Sequence, residues 1–186
     1  GGMGVLVLAT AIVPKLGIRS HYLTQAETPG PVFSKLVPKQ SQTSKILYTM
    51  YFVLTALEVL CLKIAGLPLY DALIHSFSTA GTGGFSNRNA SVGAYGNVAV
   101  EMIITVFMLL FSVNFAIYFL LLTKKWREAV ASDELRFFLG TVSAAVLLVF
   151  LSIYPSYGHA GRALLDSAFQ VSSVISSPLS LVSPFP

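Results

Sequence analysis

An eight-residue loop, residues 79–86, has a composition that could support chemistry. It reads Thr-Ala-Gly-Thr-Gly-Gly-Phe-Ser and follows a short apolar segment, residues 69–80. Side chains this small leave the backbone exposed, and an unpaired carbonyl in hydrocarbon costs several kcal/mol. Irregular backbone at membrane depth is tolerated only where protein covers it or where it lines a water-filled path. At that depth, the loop predicts a polar path.

The same loop has the backbone chemistry of a cation site. In potassium channels, backbone carbonyls replace the hydration shell of the ion, and glycine permits the backbone conformations that this requires. A helix before the loop would direct its C-terminal end, with about half a negative charge, toward the ion. We therefore predict a filter formed by Thr82, Gly83, Gly84 and Phe85, in which the carbonyls of the first three bind K⁺. An ordinary turn between helices is the alternative.

The overall composition predicts the membrane that this loop requires. Hydrophobic residues make up 54% of the 186 positions and charged residues only 11%, whereas about 25% of an ordinary soluble domain is charged. The mean hydropathy is +0.73. The single cysteine, Cys61, offers no disulfide framework, and no other metal ligands cluster around it in the sequence. The composition therefore predicts an all-α integral membrane protein in contact with lipid, without a cofactor.

The lengths of the apolar runs predict which segments cross the bilayer, since a spanning helix needs about 20 mostly apolar residues. Residues 46–62, 98–122 and 137–154 are long enough, and residues 3–13 resemble the end of a further span. Residues 69–80 and 164–175 are too short to cross. These two segments are predicted to be re-entrant pore helices, each followed by a loop at membrane depth.

Lysine and arginine are concentrated in two of the connections, which predicts the topology. Cytoplasmic loops carry the excess of these residues. The connections concerned are residues 14–45 and 123–136, and the opposite side holds only Lys63, Arg88 and Arg162. The net charge of +4 is therefore attributed to membrane orientation and not to binding of nucleic acid. Both short helices are predicted to enter the membrane from the outside.

A repeated order of elements divides the chain. A shift of 95 positions places Asp71 on Asp166 and Ser78 on Ser173, and internal repeats are common in transporters. The predicted divisions are the end of a second span of repeat 1 (1–16), a cytoplasmic linker (17–45), a complete repeat 2 with span, pore helix, filter and span (46–122), a cytoplasmic loop (123–136), the span and pore helix of repeat 3 (137–177) and an aberrant tail (178–186).

Several motifs resemble one known family. They are Gly1-Gly2-Met3-Gly4, residues 26–31, Asp71-Ala72, residues 75–86 and Asn114-Phe115. In this order they resemble the TrkH/KtrB family of bacterial potassium uptake proteins. The resemblance implies four non-identical repeats of span, pore helix and span around one pore, with Gly84 as the filter glycine of repeat 2. It also implies a multi-pass protein of the inner membrane, a homodimer, and cytoplasmic nucleotide-binding regulatory subunits.

The end of the chain departs from that resemblance. Leu179, beside Pro178, stands where the family pattern expects the next filter glycine. The sequence also begins without an initiator methionine and without a signal peptide. We therefore expect a fragment or a truncated product of a longer gene. A non-conducting fragment with only a structural role, and a pore assembled from identical copies, are the alternatives to a filter strand within a four-repeat protein.

Other polar residues suggest alternatives of their own. Asp71, His75 and Ser78 share one helical face and superficially supply a hydrolase triad, but no oxyanion donors or substrate pocket accompany them. Enzymatic activity is not predicted. Instead, Asp71 is expected to anchor the pore helix, and His75 to bond to a neighbouring span. Ser78 and Thr79 are expected to line or support the pore.

Four further polar residues are assigned from their place in the predicted topology. Asn114 is a second candidate for lining or supporting the pore, with a bond between helices as the alternative. Glu58, inside a predicted span, could attract cations; pairing with Lys63 or Arg162, or an interface role, is favoured. Arg88 and Glu101 are expected to be solvated surface charges.

Overall fold

The computed structural model describes residues 40–176 except 114, 123 and 157, and this part of the chain contains helices and connecting turns but no strand. In chain order the helices are α1 (Gln40–Ile64), α2 (Leu69–Ala80), α3 (Val98–Ser112), α4 (Phe115–Leu122), α5 (Trp126–Val130), α6 (Asp133–Ile153) and α7 (Ala160–Ile175). Two 3₁₀ helices, Ser91–Tyr95 and Tyr154–Ser156, precede α3 and follow α6. The predicted segments 1–16 and 178–186, and residues 17–39 of the predicted linker 17–45, lie outside the described residues, whereas residues 40–45 of that linker belong to α1.

The connection from α1 to α2 is a tight reversal that the sequence encodes locally. The Leu67 amide donates to the Leu62 carbonyl (3.1 Å) and the Gly66 amide to the Lys63 carbonyl (3.1 Å). Gly66 has a φ of 99°, which side chains disfavour and which ends the helix. Leu62 and Leu67 are both buried in one core, and Pro68 immediately precedes α2. The short helix therefore folds back against α1.

The start of α3 is fixed to the end of α1 by one side chain. Asn97 caps α3 by accepting the Ala99 amide (3.0 Å), and its Nδ2 donates to the Ala65 carbonyl (3.0 Å). Asparagine is a favoured N-cap because its oxygen satisfies an amide that has no partner within the helix. The cap thus also sets the position at which the chain returns after the glycine-rich loop.

The predicted span 98–122 is not one continuous helix, which corrects the sequence-based expectation. Val113 has an extended conformation (φ −73°, ψ 140°) that ends α3 after Ser112. The Ser112 hydroxyl donates to the Met108 carbonyl (2.8 Å), and the Tyr118 hydroxyl donates to the Leu110 carbonyl (2.7 Å). The Tyr118 hydroxyl therefore gives a hydrogen bond to a carbonyl of the last turn of α3, as is needed in an apolar setting.

The helices pack as two connected groups. Helices α1, α2 and α3 contact one another, and α7 packs on both α3 and α6. The larger core joins Leu62, Ala72, Ile104 and Met108 to Phe169 of α7. Large apolar side chains remain exposed on the outside, among them Phe52, Leu148 and Leu151. In the described part, Asp133–Ser156 is the helix whose length and composition suffice to cross a membrane, and Val98–Ser112 is apolar but shorter.

Candidate functional site

The glycine-rich loop begins as a defined helix cap at the end of α2. The Gly83 amide donates to the Ser78 carbonyl (2.8 Å) and the Thr82 amide to the Thr79 carbonyl (3.2 Å). This pair of bonds is a Schellman motif, in which the residue with left-handed backbone is usually glycine. Here that residue is Thr82, with a φ of 53°. A threonine in this conformation is strained, and such strain is concentrated at functional sites.

These bonds leave the loop carbonyls directed away from α2. The amide of Gly81 also bonds back into the helix, to Phe77 (2.8 Å), and the peptide bonds are trans. In a planar trans peptide, the amide and the preceding carbonyl point in opposite directions. The carbonyls of Ala80, Gly81 and Thr82 therefore point away from the helix. Within the described residues, the backbone carbonyls of 81–86 accept no hydrogen bond.

The rest of the loop returns beside α2. The nine steps from Asp71 to Ala80 rise about 14 Å along the helix. The chain must recover most of this distance between Thr82 and Asn87, because Asn87 Nδ2 lies 2.5 Å from Asp71 Oδ1. Five extended residues reach at most about 18 Å. Residues 83–86, which have no regular secondary structure, therefore return alongside the helix, and we call residues 81–86 the strand, a single segment outside any sheet.

A buried carboxylate near the start of α2 fixes the far end of this strand. Asp71 is only 4% exposed. It accepts hydrogen bonds from Asn87, from the Tyr95 hydroxyl (2.9 Å) and from Arg88 Nη2 (3.4 Å). Because the only hydroxyl proton of Tyr95 goes to Asp71, His75 Nε2, at 3.3 Å, is the donor to the Tyr95 oxygen. We call Asp71, His75, Asn87, Arg88 and Tyr95 the anchoring network.

Charge and hydrogen bonding stabilise the ionised form of Asp71. The Tyr95 and Asn87 side chains lower the pKa of Asp71 by donating to its carboxylate, and Arg88 adds an ion pair. Hydrogen bonds to a charged form favour that form. The guanidinium of Arg88 also lies over the Tyr95 ring, 5.7 Å from its centroid. The strand is thus fixed by a helix cap at one end and by a charged network at the other.

Two residues of the strand have backbone or side-chain features that substitution would disturb. Gly84 has a φ of 67°, which side chains rarely adopt. A Cβ on Gly83 would lie 2.8 Å from the Phe85 ring, so any larger residue at position 83 would displace that ring. Phe85 itself is 78% exposed. Of the four predicted filter residues, Gly83 and Gly84 are thus the least replaceable.

The structure brings some predicted residues together and separates others. Ser78 and Thr79 lie at the α2 cap, and Asp71 anchors the strand. His75 bonds to Tyr95 of the loop and not to a neighbouring span, which corrects that expectation. No bond joins Ser78 to His75 among the described residues, so the triad is not assembled. Asn114 lies outside the described residues.

Two acidic residues differ from their sequence-based assignment. Glu101 is 1% exposed and makes a bidentate contact with Arg162 (2.7 and 3.2 Å), so its prediction as a solvated charge is wrong. Arg162 also pairs with Asp166 (3.0 Å). The predicted pairing of Glu58 with Lys63 or Arg162 is likewise wrong, because Arg162 is engaged elsewhere and Lys63 is exposed. Periodicity alone could have placed Glu101 on the buried face of α3.

The second short helix ends with the same geometry as the first. The cap residues are Gly81 (φ −82°, ψ 1°) and Ser176 (φ −83°, ψ 1°), which are 95 positions apart. Their amides donate to Phe77 and Ser172, again 95 positions apart. This agreement in backbone bonding matches the register that Asp71 and Asp166 suggested.

The comparisons with known proteins give one family. The family model for TrkH, described as a cation transport protein, matches residues 1–177. The chain is 35% identical to the Trk system potassium uptake protein TrkG of Escherichia coli K12 over 181 residues, covering 96% of this chain and 36% of that protein. It is 38% identical to the Trk system potassium uptake protein TrkH of Salmonella typhimurium over 182 residues, covering 94% of this chain and 37% of that protein.

A solved structure agrees with these relatives. The crystal structure of the potassium transporter TrkH from Vibrio parahaemolyticus matches with a TM-score of 0.72 and 31% identity, covering 93% of this chain and 35% of that one. The chain therefore spans about a third of the length of the proteins it matches, 36% and 37% for the two curated relatives.

Proposed function

The chain belongs to the TrkH family of cation transport proteins, and we propose that it supplies one selectivity-filter strand to a potassium uptake pore. The observation that carries the proposal is the strand 81–86, whose backbone carbonyls accept no hydrogen bond among the described residues and follow a helix C-terminus. The family match and the match to a solved structure confirm the expected family and the all-α membrane fold. The family is one of transporters, so the enzyme hypothesis is set aside.

The proposed chemistry is replacement of the hydration shell of K⁺ by backbone oxygens. Thr82, Gly83 and Gly84 contribute the carbonyls, while the C-terminal end of α2 favours positive charge nearby. The extended path of the strand spaces successive carbonyls along its length. No covalent step is involved, because binding has only to be strong enough for entry and weak enough for release.

The complete pore in this proposal has four repeats in one polypeptide, of which residues 46–122 form the second. The divisions predicted from the sequence, the outside entry of α2 and α7, and the multi-pass location in the bacterial inner membrane are parts of the same proposal. So are a homodimer and cytoplasmic nucleotide-binding regulatory subunits. The names of the relatives support potassium uptake, and the repeated cap geometry supports the repeat.

A chimera tests the proposal. Residues 1–177 replace the matching segment of Escherichia coli TrkH, and potassium uptake is measured in cells that lack their own uptake systems. Gly84→Ala is expected to lower uptake at least about tenfold, because a left-handed site penalises a side chain by about 1–2 kcal/mol and the carbonyls shift. Gly140→Ala is the matched control, since a Cβ there meets nothing within 4 Å.

The outcomes separate the alternatives. Normal uptake with Gly84→Ala, at equal membrane expression, would refute the filter assignment. The 186-residue chain is also expressed alone. Uptake by the isolated chain would favour assembly from identical copies, whereas an active chimera together with an inactive isolated chain supports a strand that needs the other repeats.

A further inference from the structure

A fixed positive charge stands directly after the proposed filter strand. Arg88 follows Ser86 by two residues, so their Cα atoms are at most about 7 Å apart. This distance is shorter than the screening length of physiological salt, about 8 Å. A lone guanidinium at this place would therefore repel a cation at the Ser86 end of the strand. A path for K⁺ with such a charge beside it requires compensation.

Asp71 supplies the compensation. Arg88 is the single lysine or arginine between residues 69 and 97, and Asp71 is the single acidic residue of that segment. The two side chains form an ion pair, with Arg88 Nη2 3.4 Å from Asp71 Oδ2. The field of two opposite charges this close falls more steeply with distance than the field of one charge. This segment therefore presents almost no net charge to a cation that approaches the strand.

More than the ion pair fixes the guanidinium. It lies over the Tyr95 ring, 5.7 Å from the centroid, where the face of the ring attracts a cation. The backbone of Arg88 is held on both sides, because its amide donates to the Ser86 hydroxyl (3.1 Å) and its carbonyl accepts the Ser91 amide (2.9 Å). The Arg88 side chain is 54% exposed, whereas that of Asp71 is 6% exposed. An exposed ion pair alone would be weak, but here the ring and an enclosed carboxylate hold the guanidinium.

The pair lies at one end of the strand, away from the carbonyls proposed to bind the ion. Asp71 is in the first turn of α2, and the cap that holds Thr82 is at the other end of that helix, about 14 Å away. A net charge beside the Ser86 end would act equally on all monovalent cations. It would therefore change how readily a cation enters, but not the choice between K⁺ and Na⁺.

We propose that Asp71 and Tyr95 hold Arg88 in a neutral pair beside the entrance to the filter strand, and that this pair sets the affinity of the pore for entering cations. Arg88 and Asp71 do not contact the ion in this proposal and act through the charge at the entrance. The inference rests on the proposed function of the strand, and it adds a determinant of cation affinity that is separate from the carbonyls.

The test measures K⁺ uptake by the same chimera as a function of K⁺ concentration. Asp71→Asn keeps an oxygen that can accept from Asn87 and Tyr95, but it leaves Arg88 uncompensated. It is expected to raise the KM about fivefold with the maximal rate unchanged. Arg88→Gln leaves the carboxylate uncompensated and is expected to lower the KM about threefold. The double variant carries neither charge, so its KM should lie within about twofold of wild type.

Two further readouts separate charge compensation from a structural role. The differences in KM should shrink between about 0.01 M and about 0.5 M choline chloride, with sucrose holding the osmolarity constant, because the screening length falls from about 30 Å to below about 5 Å. The ratio of K⁺ to Na⁺ uptake should stay unchanged in the Arg88→Gln chimera. Lys63→Gln is the matched control, since it removes a positive charge from the exposed last turn of α1, and it should leave the KM unchanged.

The proposal is refuted if Arg88→Gln raises the KM, or if the double variant keeps the full defect of Asp71→Asn. A changed ratio of K⁺ to Na⁺ uptake with Arg88→Gln would also refute it, because Arg88 would then position the carbonyls. If Asp71→Asn does not reach the membrane, Arg88→Gln and Arg88→Glu carry the test at this half-exposed side chain. The KM should then fall from wild type to glutamine to glutamate, and equal values refute the proposal.

Failure of this inference is distinguishable from failure of the filter assignment. If Gly84→Ala lowers uptake while the Arg88 variants keep the KM of wild type, the filter assignment stands and the neutral pair does not set the affinity. Normal uptake with Gly84→Ala would instead refute the filter assignment on which the inference rests.

Discussion

At the scale of single residues, Thr82 belongs both to the cap of α2 and to the proposed ion site. The Schellman motif requires a left-handed residue after α2, and the sequence places threonine there although glycines stand on both sides. Stability alone would favour glycine at this position. The strain is therefore best explained by a requirement of the strand that follows.

Thr82→Gly tests that explanation. The substitution should raise the thermal unfolding midpoint of the purified protein in detergent, because it removes about 1 kcal/mol of left-handed strain. It should also lower the ratio of K⁺ to Na⁺ uptake in the chimera, since glycine lets the carbonyls adopt more conformations. A variant that is less stable than wild type would show that Thr82 is not strained in the folded protein.

The anchoring network gives a second prediction at this scale, for the response to acid. Since the pKa of Asp71 is lowered on folding, its contribution to stability is complete above the pKa of an unfolded aspartate, about 4. The contribution is lost as the pH falls through the lower pKa of the folded state. Tyr95→Phe removes the first donor to Asp71 and so moves the folded-state pKa back toward the unfolded value; the loss of stability in acid should therefore be smaller and should be complete at higher pH than in wild type.

The measurement is the unfolding midpoint as a function of pH for wild type, Tyr95→Phe and Asp71→Asn. Asp71→Asn should be less stable than wild type at pH 7 and should approach it in acid. Parallel curves for the three proteins would contradict the role assigned to the network.

At the scale of helices, a buried ion pair joins the two groups of the bundle. Glu101 of α3 and Asp166 of α7 are 1% and 3% exposed, and Arg162 of α7 contacts both. A buried charge that loses its partner is strongly destabilising. The position of α7 against α3 depends on this arginine.

Arg162→Met is expected to destabilise the protein by about 3 kcal/mol, since it leaves Glu101 buried without a counter-charge. Adding Glu101→Gln should recover part of the loss, because only Asp166 then keeps a buried charge without Arg162. Arg136→Met serves as a control for removing a positive charge at an exposed helix position. Equal midpoints for the Arg162 and Arg136 variants would show that the pair does not hold α7.

At the scale of the whole molecule, the exposed apolar surface fits a chain that matches about a third of longer membrane proteins. Side chains such as Leu148 and Leu151 of α6 are more than half exposed, and such surface in a membrane protein faces lipid or further helices. The relatives are almost three times as long as the chain. A filter made of strands from four repeats would use the carbonyls of 81–86 as one of its sides.

The sequence by itself determined the membrane class, the short helix 69–80, the glycine-rich loop after it and the family. These follow from composition, run length and local motif, all of which are readable without contacts. The Schellman cap was also encoded locally, although threonine in place of glycine concealed it. The caps of the two short helices lie 95 positions apart, which is the spacing of Asp71 and Asp166 in the sequence.

Only the tertiary structure decided which polar residues act together. It broke the apolar run 98–122 at Val113, where the Tyr118 hydroxyl donates to a carbonyl of the last turn of α3. It buried Glu101 beside Arg162, 61 residues away in the sequence, and it left the buried carboxyl of Glu58 without a hydrogen-bond partner among the described residues. Partners distant in sequence decide burial and pairing, and a one-dimensional pattern contains no record of which helix faces which.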